Sequence, residues 1–481
     1  MRSRETDTYH FGPFELDSAR RRLVRDGEPV HVSDRHVEIL LLLTANAPRI
    51  ISKDELIQAA WKGVAVADNS IEQAISSLRR TLGKQQDGAP YIETLARRGY
   101  RFGAAVERRQ PRHSDADLDA LLAPYRAFVE GRAALETLDR EAVGRAREAF
   151  DAALRAAPDY SAAHIGMANA CVLAFESTRT DSVRDTSTLG QAVHHAREGC
   201  RLDPGSGEAW STLAFVLHRS GDPREAIAAA RKAVSIDAND WRHYLRLAFV
   251  SWGEERLRAA HRVLTLCPGL ALAHWFAATV FVARQAFDAA ITELRAGCRS
   301  QDAQRKANGR FNAVGLHLLH GLVLAAQGEA DAAVEEFERE TLSEGDGQLY
   351  ARECSANTWY ARGAIRLHQG RRDEAAAACL EALKRVPSHP LAAVVLAVLS
   401  SSRFPSAPAT SASGVDAAIV HAAAMALNGK HDEAARLCAE ALATAESGPA
   451  GWLLPVEPLL RPTARAESWA PTLALLRDRA S

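Results

Sequence analysis

The stretch D-N-S-I-E-Q-A-I-S-S-L-R-R-T-L-G, residues 68–83, decides how the N-terminal part of this 481-residue chain folds. Apolar residues recur along it at helical spacing and therefore share one side of a helix. They are Ile71, Ile75, Leu78 and Leu82. The opposite side is polar and carries Ser70, Gln73, Ser77 and Arg80. With Asn69 as its cap and Gly83 as its end, the stretch predicts a helix of about four turns, with one side for a core and the other for a partner.

A second stretch, Y-I-E-T-L-A-R-R-G-Y-R-F at residues 91–102, predicts a hairpin with two adjacent arginines at its turn. Arg97 and Arg98 precede a glycine that permits a tight turn. Such a tip is able to contact a phosphate or a narrow minor groove, and the preceding helix suits a major groove roughly 12 Å wide. Helix and hairpin together predict a DNA-reading unit. The alternative is that these arginines, with Arg79 and Arg80, form an ordinary solvated surface.

The residues before this unit predict a small sheet and two scaffold helices. Residues 9–32 alternate apolar and polar in three short runs with an Asp-Gly turn, which indicates an antiparallel sheet. A helix capped by Ser33 or Asp34 follows the sheet. A second helix begins at Ser52, where Glu55 completes a capping box.

The order of five motifs resembles a known family. F-G-P-F-E-L, R-R-L-V-R-D-G-E-P-V-H-V, S-K-D-E-L-I-Q-A-A-W, I-S-S-L-R-R-T-L-G and T-L-A-R-R-G-Y-R-F occur in this sequence between residues 11 and 102. In this combination and spacing they resemble the winged-helix DNA-binding domain of OmpR/PhoB-type transcriptional regulators, including the CadC/ToxR-like proteins. The resemblance covers roughly residues 9–104 and implies a winged helix-turn-helix of the α+β class.

The resemblance also implies roles for single residues. Gln73 and Ser77 match positions that face base edges, and Gln73 suits a bidentate contact with adenine. A larger set matches positions that meet the DNA backbone: Trp61, Asn69, Ser70, Ser76, Arg79, Arg80, Thr94, Arg97, Arg98 and Tyr100. For Trp61, a place in the core or at its edge is the stronger alternative. Ser76 and Ser77 stand where several relatives carry Arg, so the base preference of the family does not carry over.

Partners follow from the same resemblance. It implies double-stranded DNA as the main partner and contact between the segment 62–68 and RNA polymerase. Domains of this type often bind direct repeats as head-to-tail pairs, so we expect homodimers on DNA. Relatives that join this domain to a transmembrane helix are known.

The composition changes after residue 106. Residues 107–117, E-R-R-Q-P-R-H-S-D-A-D, are polar and predict a linker between a winged-helix domain over 1–106 and a second domain over 118–481. The second domain is rich in alanine and repeats the tetratricopeptide signature of paired helices. The turn between paired helices recurs as Q-A-F-D-A-A-I, G-E-A-D-A-A-V, G-R-R-D-E-A-A and G-K-H-D-E-A-A. We expect a mainly α protein whose all-α solenoid has about eight helix pairs and a C-terminal cap.

Charge distribution, cysteine spacing and apolar runs indicate which classes of protein the sequence fits. The net charge is −1, but residues 1–110 hold 18 Lys and Arg against 15 Asp and Glu, so the slight basic excess lies with the proposed reading helix. The seven cysteines include no C-x-x-C pair, which suggests neither a disulfide framework nor a zinc site. No apolar run of about 18 residues and no signal peptide are present. We therefore expect a cytoplasmic protein with no membrane segment.

Histidines and cysteines invite a search for chemistry. His164, His274 and His317 occupy the repeat position where the tetratricopeptide pattern places Trp, so packing explains them best. His317 and His320 share a helical face without an H-E-x-x-H motif. Nucleotide-binding, hydrolase and paired-carboxylate motifs are likewise absent from the sequence. The sequence predicts no enzyme, no cofactor and no metal.

Three functional interpretations remain. The first is a bacterial DNA-binding transcriptional regulator whose solenoid binds a protein or peptide partner, a second copy or a small ligand. The second is a repeat-based adaptor whose winged helix contacts protein rather than DNA. The third, an enzyme, requires a polar pocket on the solenoid that one sequence does not reveal. A salt titration of DNA binding separates the first two.

Overall fold

A computed structural model gives the fold of the chain. It describes residues 7–18, 20–61, 69–109, 115–136, 140–181, 185–306, 313–342, 349–400 and 414–481. The chain divides into two units, residues 1–120 and residues 121–481, each with its own core.

The first unit combines two antiparallel sheets with three helices in the part that the structure describes. The strands are β1 Thr8–Phe11, β2 Phe14–Asp17, β3 Arg22–Arg25, β4 Glu28–Val30, β5 Ile50–Ile51, β6 Ile92–Leu95, β7 Gly99–Phe102 and β8 Glu107–Arg109. The helices are α1 Asp34–Ala45, α2 Lys53–Trp61 and α3 Asn69–Leu82. One sheet has the order β4-β3-β2-β1-β8 and the other the order β5-β7-β6.

Local sequence signals place the first two helices. The Ser33 side chain accepts a hydrogen bond from the His36 amide and caps α1, as predicted. At the start of α2, the Ser52 amide donates to Glu55 at 2.9 Å and the Glu55 amide donates to the Ser52 hydroxyl at 3.2 Å. The predicted capping box is therefore formed. These bonds to Ser52, together with Arg49, hold the pKa of Glu55 below its ordinary value.

The core of the first unit confirms the predicted apolar stripe. All four stripe residues of α3 are at most 2% exposed: Ile71, Ile75, Leu78 and Leu82. They pack with aromatic rings from the two sheets, among which Phe11 and Phe102 lie edge to face with centroids 4.9 Å apart. Because one side of α3 is fixed in this core, its polar side faces outward.

The linker predicted over 107–117 needs correction at both ends. Glu107–Arg109 forms strand β8, which pairs with β1 so that Tyr9 lies opposite Arg108. Arg108 also forms an ion pair with the buried Asp7 side chain. At the other end, helix α4 already begins at Asp115. Polar composition indicated a linker, but a polar strand is suited to the solvent-exposed edge of an antiparallel sheet.

The second unit is built of helices. They are α4 Asp115–Leu135, α5 Arg140–Ala156, α6 Ser161–Ser177, α7 Thr186–Leu202, α8 Gly207–Ser220, α9 Pro223–Ile236, α10 Trp241–Val250, α11 Gly253–Leu266, α12 Ala271–Ala283, α13 Phe287–Lys306, α14 Leu316–Ala326, α15 Ala330–Thr341, α16 Ala351–His368, α17 Arg372–Arg385, α18 Pro390–Leu399, α19 Gly414–Leu427, α20 His431–Thr444 and α21 Ala466–Arg479. The division between the two units falls within α4.

Successive helices pack in pairs, as the repeat pattern predicts. Pairs such as α6–α7, α8–α9 and α16–α17 contact each other along their length. Small residues allow the close approach: a Cβ atom on Gly166 in α6 would lie 2.3 Å from a ring carbon of Phe150 in α5. The same relation joins Gly321 and Phe337 in the pair α14–α15, at 2.4 Å. The phenylalanine ring of one helix thus occupies the space that a glycine leaves on another.

The C-terminal segment does more than cap the last pair. Helix α21 packs on α20, where Thr472 donates to the Ala435 carbonyl at 2.9 Å. The residues before it lie against helices far back in the chain. Trp452 contacts Trp275 of α12 with ring centroids 5.7 Å apart, and Thr463 donates to the carbonyl of Ala326 at the end of α14. The segment therefore links helices that are not neighbours in the array.

One buried acid belongs to this segment. Glu457 is 3% exposed and accepts hydrogen bonds from the Tyr360 hydroxyl of α16 and from the Leu459 amide. Burial raises the pKa of Glu457 to about 7, against an ordinary value of 4.5. The carboxyl group is therefore poised to titrate near neutral pH.

None of the helices in the described ranges combines the length and the apolar character needed to cross a bilayer.

Candidate nucleic-acid interface

The outward side of α3 carries the residues predicted to read DNA. Gln73, Ser76 and Arg80 are exposed, whereas Ser77 is half-buried. All four project from a helix whose opposite side is fixed in the core, so the backbone under them is rigid. A rigid helix with exposed amide, hydroxyl and guanidinium groups is suited to contacts with base edges and phosphates. Ser70, in the first turn, is also half-buried.

Arg79 joins α3 to the wing hairpin, formed by β6, β7 and the turn between them. Its guanidinium donates two hydrogen bonds to the Ile92 carbonyl, at 2.8 and 2.7 Å, and one to the Thr94 hydroxyl at 2.8 Å. Arg79 and Thr94, both predicted to contact the DNA backbone, thus contact each other. Sequence reasoning missed this bond because it joins residues 15 positions apart. Arg79 serves first to fix the helix relative to the wing.

The turn of the wing hairpin exposes both predicted arginines. Arg97 has a φ of +61°, a left-handed conformation, and it is exposed together with Arg98. The next residue, Gly99, has a φ of +125°, and a Cβ atom there would lie 2.1 Å from the Ile51 carbonyl oxygen. Glycine is required at this position because β5 and β7 approach so closely.

The charges at this surface are unevenly compensated. Arg80, Arg97 and Arg98 form no ion pair with any residue that the structure describes. By contrast, Lys53 of α2 pairs with Glu72 of α3 at 3.0 Å. Three uncompensated guanidinium groups on α3 and the wing make this side of the domain locally positive, although the chain as a whole is close to neutral.

The remaining residues predicted to contact the DNA backbone are Tyr100, Trp61 and Asn69. Tyr100 lies in β7 with its side chain in the core and only 4% exposed, because it faces the same side of the strand as the buried Phe102, two residues further on. We therefore assign the Tyr100 ring to packing and correct the expected surface role. The side chains of Trp61 and Asn69 lie outside the described residues, as does the segment 62–68 expected to contact RNA polymerase.

Comparison with known proteins identifies the two parts of the chain. Residues 27–102 match the family model described as "Transcriptional regulatory protein, C terminal". The N-terminal part is an OmpR/PhoB-type winged-helix domain. Residues 207–240, which include α8 and α9, match the tetratricopeptide repeat model. The helical part is a tetratricopeptide-repeat region, so both expectations of fold class are confirmed.

Relatives of the winged-helix domain are transcriptional activators. The chain is 33% identical over 91 residues to the cholera toxin homolog transcriptional activator of Vibrio parahaemolyticus, a match that covers 18% of this chain and 31% of that protein. It is 31% identical over 86 residues to the transcriptional activator CadC of Escherichia coli, which covers 18% of this chain and 17% of the relative. The chain thus spans less than a third of the length of either protein.

The chain is also similar to a solved structure. The DNA-binding domain of E. coli CadC is 26% identical, and the match covers 21% of this chain and 97% of that one, with a TM-score of 0.20.

Proposed function

We propose that this chain is a bacterial transcriptional regulator in which the winged-helix domain reads promoter DNA and the repeat solenoid binds a partner that controls it. The observation that supports this most directly is the joint exposure of the polar side of α3 and of the wing tip. Gln73 and Arg80 project from the first, and Arg97 and Arg98 from the second. The relatives of this domain are transcriptional activators.

The proposed contacts divide by chemistry. Gln73 and Ser77 contact base edges in the major groove, where an amide is able to pair bidentately with adenine. Arg80, Arg97 and Arg98 contact phosphates, and the absence of ion-pair partners among the described residues leaves their charges available. Arg79 and Thr94 hold the wing against α3 so that both elements reach one duplex.

The proposed partners go beyond DNA. A protein or peptide on the solenoid regulates DNA occupancy by preferring one arrangement of the chain over another. Segment 62–68 contacts RNA polymerase, and two copies bind head to tail on a direct repeat. We propose a regulatory and non-enzymatic protein that acts in the cytoplasm, where bacterial promoters are located.

A selection from random duplexes followed by a salt titration tests the proposal on the full chain. The regulator should enrich one sequence family and lose affinity steeply as salt rises, with a slope of log K against log salt of about −0.9 for each phosphate contacted. A scrambled duplex of equal length serves as the control. Enrichment of no sequence, with no binding at low salt, would support the adaptor interpretation and overturn the proposal.

Genome-wide mapping of the fragments that copurify with the protein would then identify the target promoters. Fragments spread evenly over the genome, without a shared sequence, would contradict sequence-specific reading.

A further inference from the structure

Three helices of the solenoid bring a thiol, two imidazoles and a carboxylate together. Cys298 lies on α13, His317 and His320 on α14, and Glu336 on α15. One ligand atom each from Cys298, His317 and Glu336 lies within 4.8 Å of the other two. All four side chains are buried, with His317 only 1% exposed. Thiolate, imidazole and carboxylate are the ligand types that Zn²⁺ prefers.

We propose that Cys298, His317, His320 and Glu336 form a binding site for a zinc-class divalent metal ion.

The orientation of His317 fits a metal ligand. Its Nδ1 faces the cluster and lies 2.5 Å from Glu336 Oε2. Its Nε2 lies 3.2 Å from Asp302 Oδ1 on the outer side. Histidines that bind a metal through one nitrogen almost always donate the other to a carboxylate or carbonyl, which fixes the ring. Asp302 occupies that supporting position.

The carboxylate of Glu336 is also oriented as a metal ligand would be. Arg339 donates to Glu336 Oε1 at 3.0 Å, so this oxygen is held on the outer side. The other oxygen, Oε2, faces His317 and lies 3.3 Å from Nδ1 of His320. Oε2, directed at both imidazoles, is therefore the oxygen available for monodentate coordination.

His320 is the residue that hydrogen bonding leaves unexplained. It is 6% exposed; its Nδ1 lies within ion-pair distance of Glu336 Oε2, and its Nε2 forms no hydrogen bond within the described structure. A buried imidazole nitrogen without a hydrogen-bond partner costs free energy. His317 and His320 are three residues apart and share one face of α14, so a single ion is able to bind both. Coordination would satisfy His320.

A neighbouring repeat provides an internal comparison. His274 of α12 lies 2.7 Å from Glu293 of α13, with the same 19-residue spacing that separates His317 from Glu336. The earlier pair has Ala277 where the later one has His320. The histidine–glutamate pair is therefore common to both repeats, and packing accounts for it. The thiol and the second imidazole are added only at the later repeat.

The distances allow closure around an ion. Zinc bonds of about 2.0–2.3 Å place tetrahedral ligand atoms roughly 3.3–3.8 Å apart. Among Cys298, His317 and Glu336 the separations run from 2.5 Å between His317 and Glu336 to a limit of 4.8 Å, and His320 Nδ1 lies 3.3 Å from Glu336 Oε2. Four protein ligands and a buried position indicate a structural site that clamps α13, α14 and α15 together. The cysteine-spacing rule missed it because each helix contributes separately.

Titration of the full-length, chelator-treated protein with Co²⁺ and Zn²⁺ tests the site. We expect one equivalent of Co²⁺ to produce a thiolate-to-cobalt charge-transfer band that one equivalent of Zn²⁺ abolishes. Cys298→Ser should remove the band, and His320→Gln should weaken binding. Asp302→Asn should weaken it by roughly 10- to 100-fold, as expected for a supporting residue.

Matched variants control for folding. Cys200→Ser changes a cysteine of similar burial, and His274→Gln changes the earlier histidine–glutamate pair; both should leave the band and the affinity unchanged. Circular dichroism shows whether each variant is folded, and the wild-type spectrum decides even if Cys298→Ser is not. Absence of the charge-transfer band in the wild type, its persistence in Cys298→Ser, or an unchanged affinity in His320→Gln would overturn the proposal.

Discussion

Gly99 allows the wing hairpin to lie close against strand β5. Its positive φ and its contact with the Ile51 carbonyl act together, because one limits the residue type and the other leaves no space for a side chain. Gly88 has a similar positive φ of +81°, but nothing lies within 4 Å of its added Cβ. A substitution at Gly88 therefore tests backbone strain alone, whereas a substitution at Gly99 tests backbone strain together with a steric clash.

We predict that Gly99→Ala destabilises the winged-helix domain far more than Gly88→Ala. Gly88→Ala should cost about 1 kcal/mol from the left-handed backbone, and Gly99→Ala more than about 3 kcal/mol, because β5 must also move. Thermal melts of the two variants would show the difference. Equal shifts in melting temperature would mean that the β5–β7 contact is dispensable.

Gln73 and the wing arginines should affect DNA binding in different ways. Gln73→Ala removes a base contact and should change which sequence is preferred. Arg97→Ala combined with Arg98→Ala removes cations that bind phosphates, so affinity should fall for all sequences and the salt slope should decrease by about 1 for each phosphate that is no longer bound. Each variant is the control for the other. If preference stayed unchanged in Gln73→Ala, the base-facing assignment would be wrong.

Glu457 should make stability depend on pH. Its folded pKa of about 7 is above the ordinary 4.5, so the folded state binds the proton more tightly. The stabilisation is fully present below pH 4.5 and is lost as pH rises through 7. Glu457→Gln, which stays neutral, should match the wild type at pH 4 and exceed its stability by roughly 3 kcal/mol at pH 8. Chemical unfolding at both pH values measures this; a constant difference would refute it.

At the scale of single elements, helix packing in the solenoid depends on where a glycine faces. Gly144 in α5 has nothing within 4 Å of an added Cβ, whereas Gly166 in α6 faces the Phe150 ring. Alanine raises helix propensity equally at both positions. The two positions therefore differ only in the space around them.

We predict opposite signs for these two substitutions. Gly144→Ala should stabilise the solenoid by up to about 1 kcal/mol, because it adds helix propensity without a clash. Gly166→Ala should destabilise it by about 1–3 kcal/mol, because Phe150 must leave its position. Urea unfolding monitored by helical circular dichroism gives both values. Stabilisation by Gly166→Ala would show that α5 and α6 pack less tightly than the structure indicates.

Local patterns in the sequence predicted the elements whose signals are local. The stripe from Ile71 to Leu82, the Ser33 cap and the Ser52 capping box are all confirmed, since each depends on residues within one or two turns. The pairing of strands that are far apart in the sequence has no such local signal. Strand β8 was taken for a linker because its partner β1 lies about a hundred residues earlier.

In the predicted DNA interface, too, local features could be predicted from the sequence and contacts between distant residues could not. Exposure of Gln73 and Arg80 follows from helical periodicity, which the sequence displays. The bond from Arg79 to the Ile92 carbonyl does not, because it depends on how α3 and β6 meet. The expected backbone contact of Tyr100 came from the resemblance alone, whereas the alternation along β7 places its ring in the core on the same side as Phe102.

At the scale of the whole molecule, the two units should unfold separately. Each has its own apolar core, and the boundary lies within the single helix α4. We predict two transitions in calorimetry of the full chain. Gly99→Ala should lower only the transition of the winged-helix domain, and Gly166→Ala only that of the solenoid. A single transition that both variants shift would show that the units are energetically coupled.

The contacts of the C-terminal segment bear on how the protein is made. Simple repeat arrays add one unit after another as the nascent chain leaves the ribosome, because each unit needs only its neighbour. Here Trp275 and Tyr360 find their partners in Trp452 and Glu457, which are synthesised about a hundred or more residues later. The middle of the array must wait, with apolar surface uncovered, until residues 452–457 have been synthesised. Chaperone dependence should therefore peak during this interval.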